Sequence, residues 1–411
     1  MTLFKKIFAD PVNKWVFSYA KKEIFLVGGY IRDLLRGGII NKDKDYVLKD
    51  DIRKIALLAS KKFKGTFVEL KKNKTCRVAL KNGQFLDFSR LTDSLFDDLS
   101  LRDFRINSIA WSPEQGLIDP LNGERDIRNK IIRVVDPENL RNDPLRILRA
   151  YRLSAQLGFT IDRYTRNYLG KYAVNLKDTT SERITEELFK LLICNNAYIY
   201  LTLLNKDNVL HEILDATTIT LNHNIKTISK FDHFISRLQS GKFKKLYTSS
   251  ISPVLSCPVG QGLDGFGLIR LSILLTVKNR KKEYSNATLK LSTSIAKRVC
   301  MLQEAIRISS GILSEAKLYN VFRITNECEI EAAVLLSVSR HRYVDKFIKR
   351  ADDFIKMKRN PLLDGYDIQN ILNINPSAII GQIQDEIQKR RFLGIIRTKS
   401  QARHWIISNL T

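Results

Sequence analysis

Apolar and polar positions change rhythm repeatedly along this chain, and each rhythm predicts an element. Ile24, Phe25, Leu26 and Val27 form a short unbroken apolar run, Gly28 and Gly29 interrupt it, and residues 30–36 resume with helical spacing. That order reads as a strand, a glycine turn and a helix start. Asp43 and Asp45 alternate with Lys44, so they point the same way if 42–48 is a strand. Ile52, Ile55, Ala56, Leu58 and Ala59 recur at helical intervals within 50–63, with Asp51 near the start. The period then falls to two. Phe67-Val68-Glu69-Leu70, Cys76-Arg77-Val78-Ala79-Leu80 and Phe85-Leu86-Asp87-Phe88 read as successive strands, with polar turns at 71–74 and 81–83.

From Asp143 the pattern turns helical. Pro144 suits a helix's first turn with Asp143 at the cap, Leu145, Leu148, Tyr151 and Leu153 make an apolar face, and Gly158 stops it. Ser181-Glu182-Arg183-Ile184-Thr185-Glu186-Glu187-Leu188 opens a further helix. Between 205 and 358 amphipathic helical stretches alternate with the segment 249–267, whose Pro253, Pro258 and four glycines predict a long loop. There is no internal repeat and no heptad array. The expected fold is an α/β head with a mixed sheet followed by an all-α remainder.

Bulk composition adds a partner to this picture. At 411 residues the chain exceeds one ordinary core, so two to four packed units are expected. Lys and Arg total 69 against 43 acidic residues, a net charge of +26 spread along the chain, which favours a polyanionic partner. Cys76, Cys194, Cys257, Cys300 and Cys328 lie far apart, with neither zinc-ligand nor disulfide-framework spacing. The first residues lack a signal-peptide core, and the longest apolar run, 268–277, is too short to span a bilayer. No membrane association and a reducing cytoplasm are the expectations.

The candidate chemistry sits in the head. Gly28 and Gly29 let backbone approach a triphosphate, the helix start aims N–H groups at it, and Arg32 is able to fork onto its oxygens. Two carboxylates on one strand face, Asp43 and Asp45, suit Mg²⁺. Asp87 stands where a third acidic position would fall. Arg146, Arg149 and Arg152 recur every three residues and so share one side of their helix. Asp232-His233 is similar to the start of a metal-dependent phosphohydrolase module, but the other histidines, His211, His223, His341 and His404, do not supply the rest of one.

These residues resemble the class II tRNA nucleotidyltransferase and bacterial poly(A) polymerase family, whose first motif is Gly-Gly-x-x-Arg-Asp followed by Asp-x-Asp. Leu101-Arg102-Asp103-Phe104-Arg105-Ile106-Asn107 is similar to the family's Arg-Arg-Asp-Phe-Thr-Ile-Asn, with Leu101 and Arg105 departing from it. Asp119-Pro120-Leu121-Asn122-Gly123-Glu124-Arg125-Asp126 resembles its Asp-Pro-x-x-Gly-x-x-Asp connector, a hinge. Asn142-Asp143-Pro144-Leu145-Arg146 resembles its Glu-Asp-x-x-Arg segment with Asn142 in place of Glu. Pro361-Leu362-Leu363-Asp364-Gly365-Tyr366-Asp367 and 394–402 look like the C-terminal module of many bacterial tRNA nucleotidyltransferases.

The resemblance implies a nucleotidyltransferase head of the polymerase-beta-like kind at 1–133, a helical neck at 134–204, a helical body at 205–358 and a tRNA-binding tail at 359–411. It implies template-independent addition of C, with A as an open alternative, to the 3′ end of tRNA from CTP and ATP. Asp43 and Asp45 would hold two Mg²⁺ ions, with Asp87 either beside them as a third carboxylate of the catalytic site or facing water from an edge strand. Gly28, Gly29, Arg32, Asp33, Arg102 and Asp103 would bind the triphosphate and ribose, Asp143 and Arg146 would read the base, and Arg149 and Arg152 would complete the phosphate grip. Lys389, Arg390, Arg391 and Arg397, read from the sequence, either grip tRNA or form the polar side of an amphipathic terminal helix. The rivals are a poly(A) polymerase and a non-catalytic RNA-binding protein with a degenerate head.

One departure from the family bears on specificity. Most relatives place a flexible loop of some twenty residues, which helps the base pocket shift from C to A, between the third acidic strand and the Arg-Asp-Phe segment. Here only 91–100 intervene. The short connection implies an enzyme that adds two cytidines and leaves adenosine to a separate A-adding enzyme acting on the same tRNA.

Overall fold

The computed structural model describes residues 2–19, 23–37, 43–49, 51–214, 216–276 and 289–410. The chain forms two compact units, Met1–Glu187 with Lys206–Ile213, and Leu188–Asn205 with Leu214–Thr411.

The first unit is built on a mixed seven-stranded sheet of β1 (Ile24–Val27), β2 (Lys44–Leu48), β3 (Thr66–Lys71), β4 (Thr75–Ala79), β5 (Phe85–Arg90), β6 (Ala110–Ser112) and β7 (Gly116–Ile118), in the order β3-β4-β5-β2-β1-β6-β7. Every pair is antiparallel except β2 with β5. One face packs Phe25, Val27, Val47 and Ala110 against Leu91 and Leu99. On the other, Tyr46 stacks on Phe88, and Trp111 packs edge-on against Phe17 and Phe8 from the N-terminal helices. Lys44 is buried on this second face, its ammonium 3.0 Å from Asp10 and over the ring of Tyr30. Burying that charge is tolerable only because a carboxylate answers it, and the arrangement fixes the opposite face as the one that carries Asp45.

The period-two segments thus form the strands their alternation predicts. The helix expected within 50–63 runs from Ile52 to Lys62, with the Asp51 carboxylate accepting from the N–H groups of Arg53 and Lys54. The neck helix is Leu145–Leu157 and ends at Gly158 with φ +68°. Asp143 does not cap it as expected: its side chain makes no cap bond and instead accepts from Arg183 at 3.2 Å.

The second unit is helical among the described residues apart from one small ribbon. The segment 249–267 is a correction to the expected loop. It holds a π-turn (Tyr247–Ile251), a short helix (Ser252–Leu255), the strand pair Pro258–Gly260 and Leu263–Asp264, and the start of helix Gly265–Leu274. Its glycines serve that compact path. Gly262 turns the ribbon at φ +77°, and a Cβ on Gly265 would stand 2.8 Å from Leu255. The apolar run beginning at Leu268 is explained by helix Gly265–Leu274 being buried on all sides. Asp232 is buried in a 2.8 Å ion pair with Arg270, which accounts for it without a metal. Towards the C-terminus, Leu363, Ile368, Ile380, Ile383, Ile387, Ile396, Ala402 and Ile406 form a separate small core. Cys76, Cys257, Cys300 and Cys328 are in no disulfide, and no described helix is long and apolar enough to cross a membrane.

Candidate active site

Sheet register assembles the site. Val27 pairs with Asp45, Asp45 with Asp87, and Asp87 with Arg77, so one row across β1, β2, β5 and β4 carries two carboxylates and a guanidinium side by side. Asp43, just before β2, accepts from the Phe85 N–H at 2.9 Å, which tethers it over the start of β5. Arg77 grips Asp87 through Nε and Nη2, both at 2.7 Å. Asp87 therefore stands next to Asp45 as expected, but it carries its own counter-charge.

Gly28 forms the floor opposite. Its φ of +80° is available to glycine, and a Cβ there would lie 3.2 Å from Arg102 Nη1 and 3.4 Å from Asp45 Oδ2. The close approach of backbone to Asp45 and Arg102 is thus the reason for this glycine, and helix Gly29–Arg36 starts immediately after it. Arg102 is aimed by Asp98, whose Oδ2 accepts from both Nε and Nη2. Asp98 lies in helix Leu95–Ser100, locked by a capping box between Ser94 and Asp97.

Asp45 is half-buried, and its carboxyl is pushed up from 3.8 to about 6. Burial is the main cause, Arg102 opposes it, Asp87 and Asp43 add to it, and Arg149 pulls it back. A carboxylate crowded by two others favours a divalent cation. Among the described residues no group of three or more His, Cys, Asp or Glu side chains is gathered as a metal cage. The donor set fits Mg²⁺ of the kind held by one or two carboxylates and completed by substrate phosphates and water.

Behind this face runs a buried network that the sequence motifs do not announce. Arg32 donates from Nε to Asp33 at 2.8 Å and from Nη1 to Asn107 at 2.7 Å. Asn107 donates to Asp103 at 3.0 Å, and Arg149 closes on the other oxygen of Asp103 at 2.9 and 2.7 Å. Burial alone would raise Asp103, but Arg149, Asn107 and the Phe104 N–H together bring it down to about 2. Expected at the phosphates, Arg32 and Arg149 are thus turned onto protein partners. Arg152 is likewise held by Glu187 at 2.5 Å and Gln156 at 2.6 Å. Of Arg146, Arg149 and Arg152, Arg146 is held most loosely, with Asp143 at 3.9 Å as its charged partner. Burial lowers its guanidinium pKa.

The structure places Asp45 beside Gly28 and within electrostatic reach of Asp43, Asp87, Arg102 and Arg149, and pairs Arg146 loosely with Asp143 just before the neck helix. Sequence reading did not single out Arg77, Asp98, Asn107 or Arg183. Arg77 was recoverable, since a hairpin between its strand and that of Asp87 sets the two face to face. Nothing local marks Asn107 as the link between two distant motifs.

Comparison with known proteins agrees with this fold. Residues 24–133 match the family described as "Poly A polymerase head domain", and 158–219 match "Probable RNA and SrmB- binding site of polymerase A". A CC-adding tRNA nucleotidyltransferase of Synechocystis is 28% identical over 92% of this chain and 91% of its own. An A-adding tRNA nucleotidyltransferase of Deinococcus radiodurans is 36% identical over 41% of this chain and 39% of its own. The fold matches the Thermotoga maritima CCA-adding enzyme complexed with tRNA, with a TM-score of 0.73 and 22% identity over 99% of this chain and 98% of that one. Residues 24–133 thus carry a poly(A) polymerase head domain on the mixed sheet, and along nearly its whole length the chain is similar to tRNA nucleotidyltransferases.

Proposed function

We propose that this protein is a template-independent tRNA nucleotidyltransferase that adds two cytidines to the tRNA 3′ end from CTP and stops there. The observation that carries the reading is the register row that stands Asp45 beside Asp87 and opposite Gly28 and Arg102. Asp43 and Asp45 would hold Mg²⁺, which when bound lowers the pKa of the attacking 3′-hydroxyl and shields the triphosphate as pyrophosphate leaves. Gly28 keeps the floor open for phosphate. Helix Gly29–Arg36 points its N-terminus the same way. Arg102, aimed by Asp98, meets the phosphates with a preset fork. Arg32, Asp33, Asp103 and Arg149 hold these parts in register, and Arg149 and Arg152 reach a nucleotide only by exchanging protein partners. The wide spacing of the cysteines suits a reducing cytoplasm.

Specificity for two cytidines follows from the connection after β5. In place of a long loop it contains a capped helix whose Asp98 is committed to Arg102. A segment fixed at both ends gives the base pocket no lever with which to reshape for adenosine. Purified enzyme given tRNA lacking its terminal CCA, with CTP and ATP together, is expected to stop after two cytidines. Completion of CCA would overturn the CC-specific reading, and a long adenosine tail made from ATP alone would instead identify a poly(A) polymerase.

Base choice is assigned to Asp143 and Arg146, an acceptor and a set of donors side by side. Arg146→Ala is expected to narrow the preference for CTP over the other nucleotides roughly tenfold or more, the value of one bidentate base contact. Triphosphate affinity should change less, because Arg102 and the glycine floor remain. Steady-state KM and kcat for all four nucleotides test this. A uniform loss with unchanged selectivity would remove Arg146 from base reading.

A further inference from the structure

Helix Arg163–Lys171 carries an aromatic ladder that the transfer reaction does not use. Tyr164, Tyr168 and Tyr172 follow at intervals of four and so line one side of the helix and its C-cap. Ring centroids lie 4.9 Å apart for Tyr164 and Tyr168, and 5.8 Å apart for Tyr168 and Tyr172. Tyr164 is 57% exposed, and Tyr168 and Tyr172 are partly exposed. The Lys171 ammonium hangs 5.7 Å from the Tyr168 centroid and 5.5 Å from that of Tyr172, and exposed Arg163 opens the helix. The opposite side of the helix is packed: Leu169 and Thr165 are buried. A core role would hide these rings and a solvated face would not need them. Three adjacent phenols with a cation between them match instead the stacking-plus-charge surface that holds unpaired nucleotides.

The helix is tied to the site by backbone. Thr165 Oγ1 accepts from the Val134 N–H at 3.1 Å, and the next N–H, that of Val135, donates to the Asp103 carbonyl at 3.2 Å. Arg133 adds an ion pair to Asp162 at 3.4 Å, just before the helix. The ladder therefore stands at a fixed position relative to the segment that carries Arg102 and Asp103.

We infer that Tyr164, Tyr168 and Tyr172, with Lys171, form a stacking platform for unpaired nucleotides of the RNA acceptor. The inference rests on the nucleotidyltransferase reading for the identity of the RNA but not for the stacking itself. Phosphates flanking the stacked bases would meet Lys171 and Arg163, so the surface reads single strands without regard to sequence.

The test measures binding of the full-length protein to two hairpin RNAs, one with a three-nucleotide 3′ overhang and one blunt, across a range of salt concentrations. The protein is expected to prefer the overhang. Tyr164→Ala and Tyr168→Ala should each weaken overhang binding about tenfold, with blunt-duplex binding and the salt slope unchanged, because stacking releases no counterions. Tyr164→Phe keeps the π face and should bind as the unsubstituted protein does. Lys171→Ala should instead lower the salt slope by about one ion for the overhang RNA. Equal losses on both RNAs, failure of Tyr164→Phe to retain binding, or overhang affinity untouched by both alanine variants would overturn the platform. CTP incorporation by the unsubstituted protein is measured in parallel. Tyrosine-dependent overhang preference without incorporation would reject the transferase reading alone, and incorporation without tyrosine dependence would reject the platform alone.

Discussion

Asp45→Asn is expected to abolish nucleotide incorporation, by more than about 10³-fold, while making the metal-free protein more stable. Both effects come from the same crowding. In the folded chain the Asp45 carboxyl is raised from 3.8 to about 6, so the native state binds more protons than the unfolded state between those values. Stability falls as pH rises through that window, and at neutral pH the charged form costs about 3 kcal/mol. An uncharged amide of the same shape relieves that cost and cannot hold Mg²⁺. The melting temperature of Asp45→Asn in EDTA should therefore exceed that of the unsubstituted protein. Added Mg²⁺ should raise the unsubstituted protein by mass action and leave the variant in place. Affinity for tRNA should change little, since the net charge of +26 supplies it. Near-normal turnover by Asp45→Asn, or equal stabilisation of both proteins by Mg²⁺, would remove Asp45 from the metal site.

The parts of this architecture that depend on local order were legible in the sequence. Gly28, Gly29 and the alternation around Asp43 and Asp45 fix a turn and a strand face within a few residues, and the structure has both. The strands around Cys76 and Phe85 announced themselves by period, because each buries one side only, whereas the edge strand around Phe67 alternates between half-buried Phe67 and exposed Val68 and Leu70. The parts that depend on pairing over distance were not legible. Parallel pairing of β2 with β5 puts Asp87 beside Asp45, and no spacing rule gives the order of strands in a sheet. Side-chain partners were equally hidden. Arginines at 32, 149 and 152 were expected to face substrate from their motifs, yet Asn107, Asp103 and Glu187 compete for them from elsewhere in the chain. Glycine and proline in 249–267 misled for a related reason. They were read as breakers, whereas close packing of Gly265 on Leu255 and the ribbon turn at Gly262 put them to structural use.

Asp103→Ala should be among the most destabilising single changes in the first unit, because it strands the Arg149 guanidinium. Asp103 is buried and accepts from Arg149, Asn107 and the Phe104 N–H, and Arg149 has its pKa raised chiefly by this carboxylate. Removing one partner of such a pair costs about 3–5 kcal/mol, since the remaining charge stays desolvated. The native carboxyl lies at about 2 against 3.8 in the unfolded chain, so the native state binds fewer protons between those values. That contribution, about 2 kcal/mol, is fully present above pH 4 and is lost as pH falls towards 2. The difference in unfolding free energy between the unsubstituted protein and Asp103→Asn should accordingly be largest at neutral pH and shrink below pH 4. Urea titrations at pH 7 and pH 3 measure it, and a difference that stays constant or grows on acidification would show that Asp103 is not the charged partner of Arg149. Loss of the pair also releases Asn107 and, through it, Arg32. Residual Asp103→Asn enzyme that is still folded should therefore show a lower kcat with CTP, even though Asp103 itself is buried behind the face that carries Asp45.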